Sequence, residues 1–382
     1  MPRIMSNDIQ YKLEEINDLL GKKYALEHPK KERDWRTYEQ EFSTRIKTAM
    51  KDLDPLIQEA VSSIKIIHGP GHPYSLSLDQ RVKLLLIKQL VGESNRMFAN
   101  MLAVFSMLSG IDVSYKTVER LYSDDEVIMA IHNLHVLILK RKGITASDAT
   151  GDGTGYSLTV KKNYESHAQH LKDKAKENPD CGKGNKESKG HKKRLFAYSF
   201  AIMDLDSRLY IAFGSSMRSE REAYDRAMDL LAVMGIHMDS IRLDRYYSSP
   251  SYMDKLGETK VFVIPKKNAT LNGSQKWKDT MKEFVVDTMS YLEQYHQRSN
   301  SESGFAADKK MLGWNIAQRR DDRIDNALFC TGVWHNMFNM GRSSNSVPHP
   351  QLTGEWHKIL NMSMPYPIDP VFFGLSQLML NG

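Results

Sequence analysis

From residue 144 onward the chain alternates short apolar runs with helical patterns, and this alternation restricts the fold more than any other feature. A group of early strands is followed by a helix, a strand, a helix, a strand and a final helical part. The corresponding segments are residues 144–160, 195–216, 219–235, 240–244, 248–257, 261–265, 276–312 and 323–340. This order is typical of an α/β domain whose mixed sheet is flanked by helices.

Residues 144–160 predict a strand, a glycine-rich turn and a second strand, because Asp152-Gly153 suits a hairpin turn. Residues 195–216 predict two strands joined by a tight turn at Asp204–Arg208. The helix that follows is bounded by an N-cap Ser219 and a C-terminal Gly235.

The residues before this domain are polar and predict a helical region. In residues 44–65 apolar positions recur at spacings of three and four, and Pro55 marks a break or a new helical turn. Residues 68–75 predict a Gly/Pro-rich hinge before several helices over 79–139. We therefore expect three parts, which are an all-α region over 1–140, an α/β domain over 141–340 and an irregular tail over 341–382.

The positive charge of the chain is concentrated in one segment. The formal net charge is +6 over 382 residues, and residues 161–194 hold eleven Lys and Arg against five Asp and Glu. This segment is almost free of large apolar residues and predicts a flexible insertion. A nucleic-acid partner and a solubilising loop explain its charge equally well.

Several classes of protein are disfavoured. No apolar run reaches the ~18 residues that a membrane span needs, and the first residues lack the apolar segment of a secretory signal. The two cysteines, Cys181 and Cys330, have no partners at disulfide or zinc-ligand spacing. We expect a cytoplasmic protein that does not associate with a membrane.

The most informative segment is residues 295–309, YHQRSNSESGFAADK. A helix turns by ~100° per residue, so four functional side chains of this segment would lie on one helical face, within an arc of roughly 60°. They are Tyr295, Arg298, Glu302 and Lys309. The sequence SNSESG is poor helical material, and Gly304 alone costs ~1 kcal/mol relative to Ala. A site that breaks local propensity favours a functional role, although a solvated face with an Arg298–Glu302 ion pair is the alternative.

The chemistry of this face suits phosphate and a hard cation. Glu302 can ligate the cation, and the guanidinium of Arg298 can form paired hydrogen bonds with a phosphate. Lys309 adds a positive charge and Tyr295 a hydroxyl donor.

The spacing Tyr-x2-Arg-x3-Glu-x6-Lys resembles the YREK signature of a large group of bacterial and archaeal insertion-sequence transposases of the DDE class. The resemblance covers about residues 144–340, and WHNMFNM at 334–340 is similar to the Asn-containing helix that follows the signature. It implies an RNase H-like catalytic domain in which Glu302 is the third catalytic carboxylate. It also implies that Tyr295, Arg298 and Lys309 contact DNA phosphates near the transposon end.

A second carboxylate is predicted at Asp244, at the carboxyl end of a short apolar strand, where sites of open α/β sheets usually lie. The family typically has Asp-Arg-Gly-Tyr there, and this chain has Tyr246 in the glycine position, between Arg245 and Tyr247. The alternative is a capping or turn aspartate without catalytic function.

The first carboxylate is ambiguous, because SDATGDGTGYSL contains two Asp-x-Thr-Gly units. The aromatic residue that the family places after this unit favours Asp152, followed by Tyr156. The more strand-like lead-in favours Asp148. The two lie four residues apart and face the same side of an extended strand, so we predict Asp152 and keep Asp148 as the alternative.

The resemblance implies that these carboxylates bind two Mg²⁺ or Mn²⁺ ions for cleavage at transposon ends and strand transfer into target DNA. The predicted partners are double-stranded DNA, both the terminal inverted repeats and the target, and a second copy of the chain that forms a dimer on paired ends. The resemblance also implies that the protein associates with the nucleoid in the cytoplasm of a prokaryote. The alternatives are an RNase H-like nuclease or recombinase without strand transfer, and a catalytically silent DNA-binding derivative.

Two further segments are predicted to contact DNA. Residues 95–123 fit a helix-turn-helix, with Gly110 in the turn and an N-cap Ser114, although a plain helical hairpin is the alternative. Residues 266–290 fit a small insertion that contacts DNA. For its tryptophan, Trp277, a position in the hydrophobic core is the alternative. The predicted contacts outside the YREK residues are Tyr115, Lys116, Thr117, Arg120, Arg245, Lys266, Lys267 and Trp277.

Overall fold

The computed structural model describes residues 6–27, 34–64, 74–109, 112–159, 196–266, 269–270 and 272–341. Several predictions lie outside these residues, namely those for the basic insertion 161–194, most of the hinge 68–75, Gly110, Cys181, Lys267 and the tail from residue 342. No described helix combines the length and the apolar content that crossing a membrane requires.

Helices precede the sheet, as predicted. They are α1 (Ser6–Glu27), α2 (Trp35–Ser62), α3 (Leu78–Val91), α4 (Asn95–Ser109), α5 (Tyr115–Leu121) and α6 (Asp125–Arg141). The prediction of a break at Pro55 is wrong, because α2 continues through this residue. Leu53, Leu56 and Ile57 on either side of it are fully buried, and their packing holds the helix together despite the missing backbone donor.

A mixed sheet follows, with strands in the order β3-β2-β1-β4-β5 and with β6 beside the end of β1. The first three strands pair antiparallel, whereas β4, β5 and β6 join in parallel. The bounds are β1 (Ala146–Leu158), β2 (Phe196–Asp204), β3 (Tyr210–Ser216), β4 (His237–Leu243), β5 (Lys260–Phe262) and β6 (Asn315–Ile316).

The predicted hairpin within residues 144–160 is wrong, because β1 is one uninterrupted strand of 13 residues. Asp152 and Gly153, the expected turn, pair with Ala201 and Phe200 in the middle of the β1–β2 ladder. Long-range pairing on both edges of β1 overrides the local turn preference of Asp-Gly. The tight turn predicted between β2 and β3 is confirmed.

The helices around the sheet are α7 (Glu220–Met234), α8 (Pro250–Met253), α9 (Gln275–Val286), α10 (Thr288–His296), α11 (Ser299–Leu312) and α12 (Asp321–Asn339). Both predicted caps of α7 are confirmed, since Ser219 accepts a hydrogen bond from the Glu222 amide and Gly235 is left-handed at φ 65°.

Helix α12 joins the sheet to the helical region. The indole of Trp334 donates to the Leu86 carbonyl of α3 at 2.8 Å. The Asn336 side-chain amide accepts from the Tyr210 backbone N–H at 2.7 Å and donates to the Tyr210 carbonyl at 2.9 Å, and so satisfies both backbone groups of Tyr210 at the open edge of the sheet. Buried apolar residues of the helical region and of the sheet form one contiguous core around α12.

Gly214 on β3 gives a stability prediction. A Cβ at this position would lie 2.2 Å from the Ala223 carbonyl oxygen and 2.6 Å from the Ala227 nitrogen, both in the backbone of α7. We expect Gly214→Ala to lower the free energy of unfolding by about 3 kcal/mol, because a helix must move away from the sheet. Urea denaturation measures this, with Gly21→Ala as the control, since a Cβ there meets no atom within 4 Å. Equal stability of the two variants would contradict the close packing.

Candidate active site

The four YREK residues do not lie on one helix, so the prediction of a shared helical face is wrong. Tyr295 lies in the last turn of α10. Arg298 is the N-cap residue of the next helix, α11, which carries Glu302 and Lys309. The chain turns between the helices, with hydrogen bonds from the Arg298 amide to the Tyr295 carbonyl and from the Ser301 amide to the Arg298 carbonyl. The residues SNS, which are weak in a helix interior, thus lie at a helix start, where they are favourable.

The guanidinium of Arg298 brings the three predicted carboxylates together. Its Nη1 atom lies 3.2 Å from Asp152 Oδ2 and 3.6 Å from Asp244 Oδ2. Its Nη2 atom donates to Glu302 Oε1 at 2.6 Å. Residues separated by up to 150 positions in sequence therefore meet around one side chain at the carboxyl end of β4.

Asp152 is the most enclosed of the three, with a side chain only 14% exposed against 42% for Asp244 and 56% for Glu302. The pKa of Asp152 is raised to about 6, mainly by burial, with the charges of Asp244 and Glu302 acting in the same direction and Arg298 in the opposite one. A carboxyl group whose pKa is raised by burial and by neighbouring charges is typical of functional sites.

Asp244 is fixed by its own turn. It directly follows β4, and its Oδ1 atom accepts a hydrogen bond from the Tyr246 amide at 2.9 Å. Tyr246 stands where the resemblance predicts glycine, and its exposed ring is accommodated at the surface. The Tyr247 hydroxyl donates to Glu220 Oε1 at 2.6 Å and anchors the turn to α7.

Asp148 lies elsewhere on the same face of β1. It accepts a hydrogen bond from the Ser240 hydroxyl and lies 3.6 Å from Arg242 Nη1. Arg242 is held in turn by the Gln294 side chain at 2.8 Å. Of the two alternative aspartates, the structure therefore brings Asp152 to Arg298 and places Asp148 beside Arg242.

Lys309 reaches the sheet from the far end of α11. Its ammonium donates to the Thr154 hydroxyl at 2.6 Å, two residues beyond Asp152, and lies 4.8 Å from the ring centroid of Trp314, which is exposed. A second tether joins α11 to β1, where the hydroxyls of Thr150 and Ser301 lie 2.8 Å apart. Sequence reasoning did not assign Thr154 or Trp314 to the site, because only the tertiary packing of α11 against β1 and the pairing of β6 with β1 bring them to Lys309.

Two predicted contacts are less accessible than the sequence suggested. Trp277 is 2% exposed, and its indole donates to the Thr270 carbonyl at 2.7 Å, so its ring lies in the core. Tyr295 is also buried, in a cluster with Leu20 of α1 and with Tyr291. Lys266 is exposed and donates to the Tyr246 carbonyl at 2.9 Å, whereas Arg245 is half-buried.

The segment predicted to form a helix-turn-helix contains α4 and the short α5. Ser114 caps α5 by accepting from the Thr117 amide at 3.2 Å, and Val118 and Leu121 face the core, as predicted. The side chains of Tyr115, Lys116 and Arg120 are exposed, while Thr117 is half-buried.

The donor set at Arg298 consists of carboxylate oxygens, which are the ligands that Mg²⁺ and Mn²⁺ prefer. In the ranges that the structure describes, however, no three acidic, imidazole or thiol groups are already arranged around one cation position. The carboxylates instead contact the guanidinium between them. The chemistry of the residues therefore fits hard cations, provided that Arg298 moves aside.

The comparison with known proteins identifies the family of the chain. No protein-family model matches the chain. A protein of Archaeoglobus fulgidus, described as a probable transposase for insertion sequence element ISA1214, is 42% identical over 294 residues, which are 77% of this chain and 84% of that protein. With such identity over most of both proteins, the chain belongs to the family of insertion-sequence transposases.

Proposed function

We propose that this transposase is a DDE-class enzyme in which Asp152, Asp244 and Glu302 are the catalytic carboxylates of an RNase H-like domain. The observation that carries the proposal is the convergence of these three side chains on Arg298. The strand order, with three antiparallel strands followed by parallel ones, supports the RNase H-like assignment.

The carboxylates would hold two divalent cations, Mg²⁺ or Mn²⁺. When bound, such a pair supplies a nucleophile at neutral pH and stabilises the oxygen that leaves phosphorus. The protein contributes position, because Asp152 is enclosed in the sheet, Asp244 is fixed by its turn and Glu302 is carried on a tethered helix.

The basic residues around the carboxylates would position the DNA backbone. Arg298 can exchange a carboxylate for a phosphate, because both accept paired guanidinium hydrogen bonds. Lys309 donates to Thr154, two residues beyond Asp152, and Lys266 donates to the carbonyl of Tyr246, two residues beyond Asp244. These contacts would fix the scissile phosphate without reading its sequence.

Sequence recognition would lie in the helical region. The exposed side chains of Tyr115, Lys116 and Arg120 on α5 are of the types that contact bases and phosphates in a DNA groove. We further propose that two copies act on paired transposon ends, as the family resemblance implies.

One assay tests the proposal and separates a transposase from a nuclease. A labelled duplex that carries the terminal repeat is incubated with the protein, Mg²⁺ and a supercoiled target plasmid. We expect 3′-end nicking and covalent joining of the nicked strand to the plasmid, both abolished by EDTA. Nicking without joining would favour an RNase H-like nuclease, and specific binding without either product would favour a catalytically silent DNA-binding derivative.

A further inference from the structure

A buried acid–base pair joins α11 to α12 and takes no part in the chemistry proposed above. Asp308 of α11 is 3% exposed, and both of its carboxylate oxygens are used. Oδ1 lies 2.6 Å from His335 Nδ1 on α12, and Oδ2 accepts from the Tyr210 hydroxyl on β3 at 2.7 Å.

The second nitrogen of His335 also faces an acceptor. Nε2 lies 2.9 Å from the Arg208 carbonyl oxygen, closer than the Asn339 amide nitrogen at 3.3 Å. Oxygen atoms of Asp308 and of the Arg208 backbone therefore lie within hydrogen-bond distance of the two ring nitrogens and together fix the orientation of the ring. The backbone of Arg208 is left-handed at φ 62°. This unfavourable conformation is thus maintained at the residue whose carbonyl oxygen lies beside His335 Nε2.

Gly304 allows α11 to lie close to this pair. A Cβ on Gly304 would be 3.1 Å from the Tyr210 hydroxyl and 3.5 Å from His335 Cε1. The ring of Tyr210 in turn stacks on that of His335, with centroids 3.6 Å apart. The glycine that weakens the helix thus permits its close approach to β3 and α12.

The pair holds the same helix that carries both functional residues, Glu302 and Lys309. Asp308 directly precedes Lys309, which reaches Thr154, and Gly304 lies two residues beyond Glu302. We propose that the buried Asp308–His335 pair positions α11 so that Glu302 and Lys309 face the carboxylates of the sheet. A buried, hydrogen-bonded polar pair suits this role, because it can specify one arrangement of its elements while adding little net stability.

This inference rests on the proposed function, and its test compares Asp308→Asn and His335→Gln with His135→Gln. His135 is a matched control, because it is also fully buried and lies 3.3 Å from a carbonyl of β3, that of Ile211, but belongs to α6. Single-turnover nicking and terminal-repeat affinity are measured well below each melting temperature. Hydrogen exchange of residues 299–312 is measured alongside.

We expect both pair variants to nick on the order of 10- to 100-fold more slowly at unchanged DNA affinity, as a displacement of about 1 Å would cause. Exchange in residues 299–312 should rise. The His135→Gln control should lose thermal stability yet keep the wild-type rate and exchange. Wild-type rate and exchange in both pair variants would overturn the positioning role.

Two further outcomes are informative. If Asp308→Asn does not fold, Tyr210→Phe removes a single hydroxyl from the same carboxylate, and faster exchange in residues 299–312 is still expected. Unchanged exchange in that variant would contradict the inference. A wild-type protein that nicks no DNA would overturn the proposed function. Hydrogen exchange of residues 299–312 in the variants would then test the positioning role of Asp308 and His335 by itself.

Discussion

Replacing Glu302 by Gln is expected to lower metal-dependent nicking on the order of 1000-fold or more, with binding of the terminal repeat retained. The substitution keeps the size of the side chain and removes the negative charge that would hold a cation, whose catalytic contribution is several kcal/mol. Asp152→Asn and Asp244→Asn should give losses of similar size. Single-turnover nicking in Mg²⁺ and in Mn²⁺ measures the rates, and gel shift measures DNA binding.

Asp148→Asn is the matched control for these variants. It changes the same residue type on the same face of β1, but its carboxylate contacts Ser240 and Arg242 instead of Arg298. We expect this variant to keep most of the wild-type rate. A loss at Asp148 as large as that at Asp152, or an active Asp152→Asn, would show that the wrong aspartate has been assigned.

Replacing Arg298 by Gln is expected to change metal binding and nicking in opposite directions. The guanidinium contacts all three carboxylates and therefore competes with any cation for the same oxygens. In the absence of DNA we expect Arg298→Gln to bind Mn²⁺ about 10-fold more tightly, which corresponds to about 1.4 kcal/mol. Nicking should nevertheless fall on the order of 100-fold, because a phosphate contact is lost.

Isothermal titration with Mn²⁺ measures the first effect, and Arg298→Lys serves as the comparison because it keeps the charge without the paired donors. Weaker Mn²⁺ binding by Arg298→Gln than by the wild type would contradict competition. It would indicate that Arg298 mainly holds the carboxylates in place. Adding DNA separates the two effects, since DNA should increase Mn²⁺ affinity more in the wild type, where a phosphate can draw Arg298 away.

The sequence determined the order of the elements and the residue types of the site. Periodicity and caps predicted α7 from Ser219 to Gly235, and these signals are local, so they survive in the fold. The spacing of Tyr295, Arg298, Glu302 and Lys309 indicated the transposase family, to which the 42% identical relative assigns the chain.

Only the tertiary structure decided how those residues meet. Local preference favoured a hairpin at Asp152, but pairing with β2 and β4 keeps β1 continuous. It places Asp152 next to Arg298 and leaves Asp148 beside Arg242. The Asp308–His335 pair could not be predicted from the sequence, because it forms only where α11 and α12 pack together and bury both side chains. Sequence patterns report periodicity and spacing along the chain, whereas burial and strand pairing between distant segments determine which charges come into contact.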